Sequence, residues 1–125
     1  MMTKKEIYDL ELSLAHFHGT SQWYRVGLPP ILITDGVKYL ADKAGAYWLC
    51  DVVASWQIEQ AVRKHEFQVW RIRVSDDRSC VVDAWSDEPD DSERITRQEI
   101  PYTDFPLPEF KLWYSGGALM LPSEY

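Results

Sequence analysis

In the first half of the chain, apolar residues recur at the spacing of an α-helix. Thr3 and Glu6 form a T-x-x-E capping box, and the apolar positions after them predict a helix over about residues 4–16. A second apolar stripe runs from Val37 to a glycine at position 45, which suits the end of a helix. The next segment, about residues 47–63, is apolar over a broad face, so we expect the central helix there.

The second half changes to the period of two that is typical of β-strands. Trp70, Ile72 and Val74 alternate with arginines, residues 80–85 alternate in the same way, and Gly116-Gly117 marks a hairpin near the end. Residues 95–102 alternate only weakly, and the prolines at positions 101, 106 and 108 indicate an edge strand or a crossing segment.

Two short segments before position 35 carry weaker signals. Residues 22–25 are interpreted as an aromatic connector, and residues 31–34 as a short strand or extended run. The whole pattern predicts one α+β domain over residues 1–125. Its N-terminal helices would pack on one face of a C-terminal antiparallel β-meander of about four to five strands.

The negative charge is concentrated in one part of the chain. The sequence has 20 acidic and 13 basic residues, which gives a net charge of −7. Residues 76–93 contain the excess acid, with Arg78 as their single base, so the rest of the chain is neutral. Such a chain is a poor candidate for direct binding to nucleic-acid phosphates. The acidic window is either a solvated loop or a contact surface for a basic partner.

In the second alternative, the window provides carboxylates and one aromatic anchor. An exposed Trp85 beside the acids would help to hold a basic protein surface. The candidate partner-binding residues are Asp83, Trp85, Asp87, Glu88, Asp90, Asp91 and Glu93.

A pocket between helices and sheet is the alternative site, for a small enzyme or a ligand-binding domain. It would contain Asp35, Tyr47, Asp104 and His16. Two carboxylates brought together can perform acid–base chemistry, whereas a Thr-Asp pair at a turn or helix start also satisfies backbone N–H groups.

No catalytic motif is present. The sequence lacks a nucleophile elbow, a phosphate-binding loop and a dinucleotide-binding glycine pattern, so we predict no catalytic residue and no cofactor. The acidic window has no glycine for a calcium loop, and His16 and His18 have no ligand cluster around them, so we predict no metal site. Arg71 and Arg73 either pair with acids on neighbouring strands or form an anion-binding patch.

The compartment is predicted from what the chain lacks. It has no run of about 18 apolar residues and no signal-peptide pattern at its start. Cys50 and Cys80 are interpreted as buried free thiols. We therefore expect a cytoplasmic protein that does not interact with membranes.

Several strings resemble those of a known family. They are Trp23-Tyr24-Arg25, TDGVKYLA at 34–41, GAYWL at 45–49, FQVW at 67–70, DRS at 77–79, YTDFPL at 102–107 and LPSEY at 121–125. Together they resemble, from about Leu14 to Tyr125, a small family of bacterial proteins of unknown function, some carried on phages and plasmids. Small acidic proteins of mobile elements often inhibit host defence enzymes, and by this analogy the resemblance implies an anti-defence role.

The sequence therefore predicts a non-catalytic protein-binding module. Its partner would be a protein with a basic surface, such as a defence nuclease or another nucleic-acid-binding protein, met by the acidic window. A small enzyme or ligand-binding domain is the alternative function. A homodimer that hides the surplus aromatic residues is a third alternative.

Overall fold

The computed structural model describes all 125 residues. The helices and strands, in chain order, are α1 (Lys4–Leu14), β1 (Tyr24–Val26), β2 (Ile31–Ile33), α2 (Asp35–Ala44), α3 (Tyr47–Trp56), α4 (Gln60–Arg63), β3 (Phe67–Val74), β4 (Cys80–Trp85), β5 (Arg94–Ile100), β6 (Glu109–Ser115) and β7 (Ala118–Met120). A short 3-10 turn, Pro122–Glu124, ends the chain. The α+β class is confirmed. None of the helices has the length and apolar composition needed to cross a membrane.

The predicted four- to five-stranded antiparallel meander is wrong. The strands form one seven-stranded sheet in the order β1-β2-β7-β6-β3-β4-β5. The sheet is mixed, because β2 lies parallel to β7 while every other pair is antiparallel. The short strand expected at residues 31–34 is β2, and the segment interpreted as an aromatic connector contains β1; both join the sheet, although three residues each are too few to show a period.

The strand order also departs from a meander at the prolines. Residues 101–108 carry the chain from β5, at one edge, to β6, which pairs with β3 on the side away from β4. A proline has no N–H to donate to a ladder, so this segment crosses the fold without adding a strand.

The predicted long central helix is two helices. The segment expected over residues 47–63 is interrupted after Trp56, and α4 has four residues. The side chain of Gln57 turns inward and exchanges hydrogen bonds with the fully buried Gln68 amide on β3, at 2.9 and 3.1 Å. The carbonyls of Gln57 and Ile58 lie at the break and accept from Arg63 Nη1, at 3.2 and 2.9 Å.

The helices cover only one face of the sheet. Strand residues such as Trp70, Ile72 and Val82 belong to the same apolar cluster as the buried helix residues. Their neighbours in sequence point the other way, because side chains alternate along a strand, and the cluster contains no Val69, Trp85 or Met120. We call this second, helix-free side the outer face.

On the helical side, Glu124 in the final 3-10 turn contacts the start of α2. The buried Glu124 carboxylate accepts hydrogen bonds from Thr34 Oγ1 at 2.6 Å, Leu121 N at 2.9 Å and Gly36 N at 3.0 Å. Its charge lies at the start of α2, where a helix favours an anion. A Cβ on Gly36 would lie 2.5 Å from Leu121 Cδ1 and 2.6 Å from Glu124 Oε1, so the close approach requires glycine.

We expect Glu124→Ala to lower the free energy of unfolding by about 2–3 kcal/mol, because three donors lose a buried acceptor. Urea denaturation measures this change. Ser123→Ala, at the exposed neighbouring position, is the control and should change stability by less than ~0.5 kcal/mol. Equal effects of the two substitutions would contradict this account of α2.

Candidate functional site

The acidic window of the sequence does not form one surface. Asp76 and Asp77 lie in the turn between β3 and β4, whereas residues 86–93 connect β4 to β5 at the other end of these strands. Asp83 lies within β4, between the two ends. We call residues 86–93 the acidic loop.

Arg71 on the outer face gathers two of the predicted acids. It is 5% exposed, and its Nε and Nη2 atoms each lie 3.2 Å from an oxygen of Asp83, which is 2% exposed. Its Nη1 atom donates to Oδ2 of Asp90, which belongs to the acidic loop, at 2.8 Å. One guanidinium therefore pairs with a strand carboxylate and a loop carboxylate, and Arg73 Nη2 supplies a second positive charge 3.7 Å from Asp83 Oδ2. Of the two alternatives for Arg71, the structure shows pairing with Asp83.

The charges of this group are mutually stabilised. Burial disfavours the charged form of Arg71, but hydrogen bonds to Asp90 and Asp83 outweigh burial and raise its pKa. The hydrogen bond from Arg71 in turn lowers the pKa of Asp90. Asp90 also adopts a left-handed backbone conformation (φ 70°), which aspartate tolerates better than most residues.

Trp85 is not the exposed aromatic anchor that the sequence suggested. It is 9% exposed, its indole N–H donates to Asp83 Oδ1 at 2.8 Å, and its ring centroid lies 5.5 Å from the Arg71 guanidinium carbon. The side chains of Asp83 and Trp85 are therefore buried in contact with Arg71, and neither is accessible to a partner.

A second ion pair holds the acidic loop against the sheet. Glu88 Oε1 lies 2.7 Å from Lys111 Nζ on β6, and Pro89, the next residue of the loop, is buried. Within the loop, the Ser92 hydroxyl donates to the Glu88 carbonyl at 2.9 Å. The loop is thus folded onto the outer face and does not extend into solvent.

Three candidate acids remain available for a partner. The side chains of Asp87 and Asp91 are exposed and make no hydrogen bond or ion pair within the chain. Glu93 Oε1 lies 3.5 Å from His65 Nε2 and is also exposed. The surface charge of the loop is carried by these three carboxylates.

Three aromatic side chains form a patch on the same face. Ring centroids of Phe67, Trp113 and Tyr125 lie 5.3 to 6.4 Å apart, in edge-on contacts. Tyr125 is 75% exposed. Trp113 lies two residues from Lys111 on β6, so the patch is continuous with the acidic loop. We call these three residues the aromatic patch.

Sequence reasoning missed the aromatic patch. The alternation of Phe67, Val69 and Arg71 along β3 was a usable signal, since it assigns Phe67 to the same face as Arg71. The contribution of Tyr125 had no such signal, because the residue follows the last strand and its contact depends on the 3-10 turn.

The residues of the alternative pocket are not assembled. Asp35 accepts from Ser21 N at 2.8 Å and Tyr24 Oη at 2.9 Å, whereas Tyr47 Oη donates to Asp42 at 2.6 Å. No hydrogen bond or ion pair links any two of Asp35, Tyr47, Asp104 and His16; the last two are exposed. The hydrogen bonds from the Ser21 backbone N–H and from the Tyr24 hydroxyl lower the pKa of Asp35, the opposite of what a general acid requires.

The cysteines are buried free thiols, as the sequence predicted. Burial raises the pKa of Cys50 to about 12, so this thiol stays protonated at neutral pH. A thiolate nucleophile at Cys50 is therefore disfavoured.

The largest groove lies elsewhere, between the α3–α4 junction and the end of β6, with a volume of about 770 Å³. Pro29, Ile58, Arg63 and Tyr114 are among its lining residues. The Tyr114 hydroxyl makes no hydrogen bond within the chain, and burial raises its pKa. His65 and Glu66 also line the groove; His65 Nε2 lies 3.5 Å from Glu93 Oε1, and no hydrogen bond or ion pair links His65 to Glu66 or to Tyr114.

Arg71→Leu should lower the free energy of unfolding by about 3–5 kcal/mol, because it leaves Asp83 buried without its partner. Arg73→Leu is the matched control; Arg73 is half-exposed, 3.7 Å from Asp83, and its loss should cost less than about 1 kcal/mol. Chemical denaturation measures both. The double substitution Arg71→Leu with Asp83→Leu should recover much of the stability, and its failure to do so would argue against an unpaired charge as the cause.

The lowered pKa of Asp90 predicts an acid-dependent contribution to stability. Above the ordinary value of 3.8, Asp90 is ionised in both states and its pairing with Arg71 stabilises the fold. As the pH falls below 3.8, the unfolded chain takes up the proton first, so this contribution is lost and vanishes below the lower, folded-state pKa. The stability difference between wild type and Asp90→Asn, measured by urea denaturation, should therefore shrink as the pH is lowered. A difference that stays constant down to the acid transition would contradict the pairing.

The model of the family of unknown function DUF6876 matches residues 8–125, so the chain belongs to this family. No curated protein and no solved structure matches the chain.

Proposed function

We propose that this member of DUF6876 is a non-catalytic protein-binding domain that uses the outer face of its sheet. The partner surface would be basic, facing the acidic loop, with an apolar area that faces the aromatic patch. The observation that carries this proposal is the acidic loop itself, which two ion pairs hold on a helix-free face beside the exposed Tyr125 and the half-buried Trp113.

Fixing the loop favours binding. A flexible loop loses conformational entropy when it docks, whereas this loop is already ordered by Arg71 and Lys111. Asp87 and Asp91 are left free for basic side chains of a partner. Their charges would accelerate association and select against acidic surfaces.

The aromatic patch provides the second half of the proposed contact. Tyrosine and tryptophan bury a large area with few rotatable bonds, and they are enriched where binding energy is concentrated. Trp113 and Tyr125 here take the anchoring role that the sequence assigned to Trp85. Trp113 lies two residues from Lys111 on β6, which is paired with Glu88 of the acidic loop, so one partner can contact loop and patch together.

The partner class follows from the charge. A basic protein surface that normally binds nucleic-acid phosphate would also accept the carboxylates of the acidic loop, and the two would compete. We therefore propose a nucleic-acid-binding protein as partner. The resemblance to phage- and plasmid-borne proteins supports a narrower proposal, the inhibition of a bacterial defence nuclease in the cytoplasm.

Ligand binding is the second candidate, and the unpartnered Tyr114 hydroxyl in the groove favours it. The groove lies at the α3–α4 junction, and one of its lining residues, His65, is 3.5 Å from Glu93 of the acidic loop. An enzyme has less support, because the candidate acid–base residues are separated and engaged elsewhere.

The combined substitution Asp87→Lys with Asp91→Lys should weaken binding to a partner at least about tenfold, since two attractions become repulsions. The partner is first captured from a lysate of the native host at low salt, then purified and titrated by calorimetry. Trp113→Ala should weaken binding independently of salt. Asp90 is left unchanged, because it holds the loop.

The matched control is Asp76→Lys with Asp104→Lys, which makes the same change in net charge at two exposed acids outside the acidic loop. This control should change the affinity by less than about threefold. Binding that survives the loop reversal, or that both double variants weaken equally, would refute docking through the acidic loop.

A further inference from the structure

Strand β5 is a long free edge of the sheet. It has seven residues and pairs only with β4. The other edge strand, β1, has three residues. An unpaired edge presents backbone N–H and C=O groups that can pair with another strand, and natural proteins commonly shorten or cover such edges.

The ladder shows which backbone groups are free. Ser75 N donates to Ser79 O at 2.8 Å, and in the antiparallel pair of β3 and β4 every second residue then bonds in the same direction. Val82 therefore directs its backbone toward β5 and bonds Gln98, its register partner. Arg97 and Glu99, on either side of Gln98, direct their N–H and C=O groups to the open edge.

Nothing else in the chain occupies those groups. No side chain and no loop backbone is hydrogen-bonded to the backbone of Arg97 or Glu99. β5 has no internal proline. Arg97 and Glu99, two residues apart, therefore each present one backbone N–H donor and one C=O acceptor at the open edge.

The side chains of β5 are complementary to a second copy of the same strand. Arg97 and Glu99 lie on the outer face, with Arg97 Nη1 2.8 Å from Glu99 Oε1. If two β5 strands pair antiparallel with Gln98 at the centre, Arg97 of each copy lies opposite Glu99 of the other. This register also aligns the free N–H and C=O groups for four main-chain hydrogen bonds.

Neighbouring registers are unfavourable. A shift by two residues in one direction sets Arg97 against Arg97, and in the other direction Glu99 against Glu99. Like charges directly opposite destabilise a strand pair, whereas opposite charges stabilise it. The sequence of β5 therefore selects one symmetric register.

We propose that the protein forms a two-fold homodimer through β5, which joins two seven-stranded sheets into one continuous sheet. In this arrangement the acidic loop of each copy lies at the start of its β5, beside the end of the partner strand. The two loops are therefore separated and do not repel each other. Both outer faces stay open on the same side, so the dimer is compatible with the function proposed above but does not depend on it.

The first test is the mass in solution over a range of concentrations, by light scattering and sedimentation. The wild-type chain should reach twice the 14.6 kDa of one chain. Glu99→Arg should weaken dimerisation at least about tenfold, because two attractive contacts become repulsive. Val81 lies opposite Glu99 on β4, so this substitution does not disturb a buried charge.

Two further variants address backbone and register. Arg97→Pro removes a donor that faces the open edge and should give a monomer with the circular dichroism spectrum of the wild type. Gln98→Cys places two thiols at the two-fold axis, where Cα atoms about 4.5 Å apart allow a disulfide. Oxidation should then crosslink the dimer, while a cysteine at the exposed Asp76 should not crosslink efficiently.

A wild-type chain that remains monomeric at high concentration would overturn the proposal, including the case in which β5 binds an extended peptide of another protein. A dimer that Glu99→Arg and Arg97→Pro leave intact while both variants stay folded would also overturn it, since another surface would then hold the copies together. Dissociation by these folded variants, with crosslinking at Gln98→Cys, would establish the β5 interface.

Discussion

Arg71 must keep its positive charge on a sheet face where it meets almost no water. A charge in such a place is stable only when it is paired and its hydrogen bonds are used, and Asp83 and Asp90 meet both conditions. Because Asp90 comes from the acidic loop, the requirement of one guanidinium also decides where that loop lies. The ion pair between Lys111 on β6 and Glu88 holds the acidic loop on the outer face at a second point. The helices cover one face of the sheet, whereas on the outer face these ion pairs hold the acidic loop against the strands.

Helices α1, α2 and α3 and most long strands could be predicted from the sequence, because their apolar periods extend over at least two turns or three alternations, whereas the break before α4 depends on the contact of Gln57 with Gln68. The capping box at Thr3 and Glu6 and the left-handed Gly45 are local signals, and the structure contains both. The site was less predictable. Its chemistry depends on Arg71, Asp90 and Lys111, which are 19 or more positions apart and meet only through the strand register. A linear window of eight acids could not show that three of them, Asp83, Glu88 and Asp90, are already paired with Arg71 or Lys111.

The strings that carry the family resemblance serve the architecture. Arg78, in a left-handed conformation, donates to the carbonyls of Thr103 and Phe105 at 3.0 and 2.7 Å, which joins the DRS string to YTDFPL. Thr34 and Glu124 join TDGVKYLA to LPSEY in the same way. Each pair satisfies buried polar groups far apart in sequence. These contacts join distant parts of the fold, and the acidic loop lies outside these strings.

The parallel contact between β2 and β7 has a consequence for the order of folding. Ile33 pairs with Leu119, and the start of α2 contacts the buried carboxylate of Glu124. Strand β2 and helix α2 therefore complete their contacts only with residues made some 86 to 90 positions later. On the ribosome, the first half of the chain emerges with its apolar helix faces and one strand unpartnered. Closing such a distant contact is slow compared with forming helices or hairpins. The newly made N-terminal half therefore keeps apolar surface exposed until β7 is made, and a chain cut before β7 would leave β2 with an unpaired edge of the kind that favours aggregation.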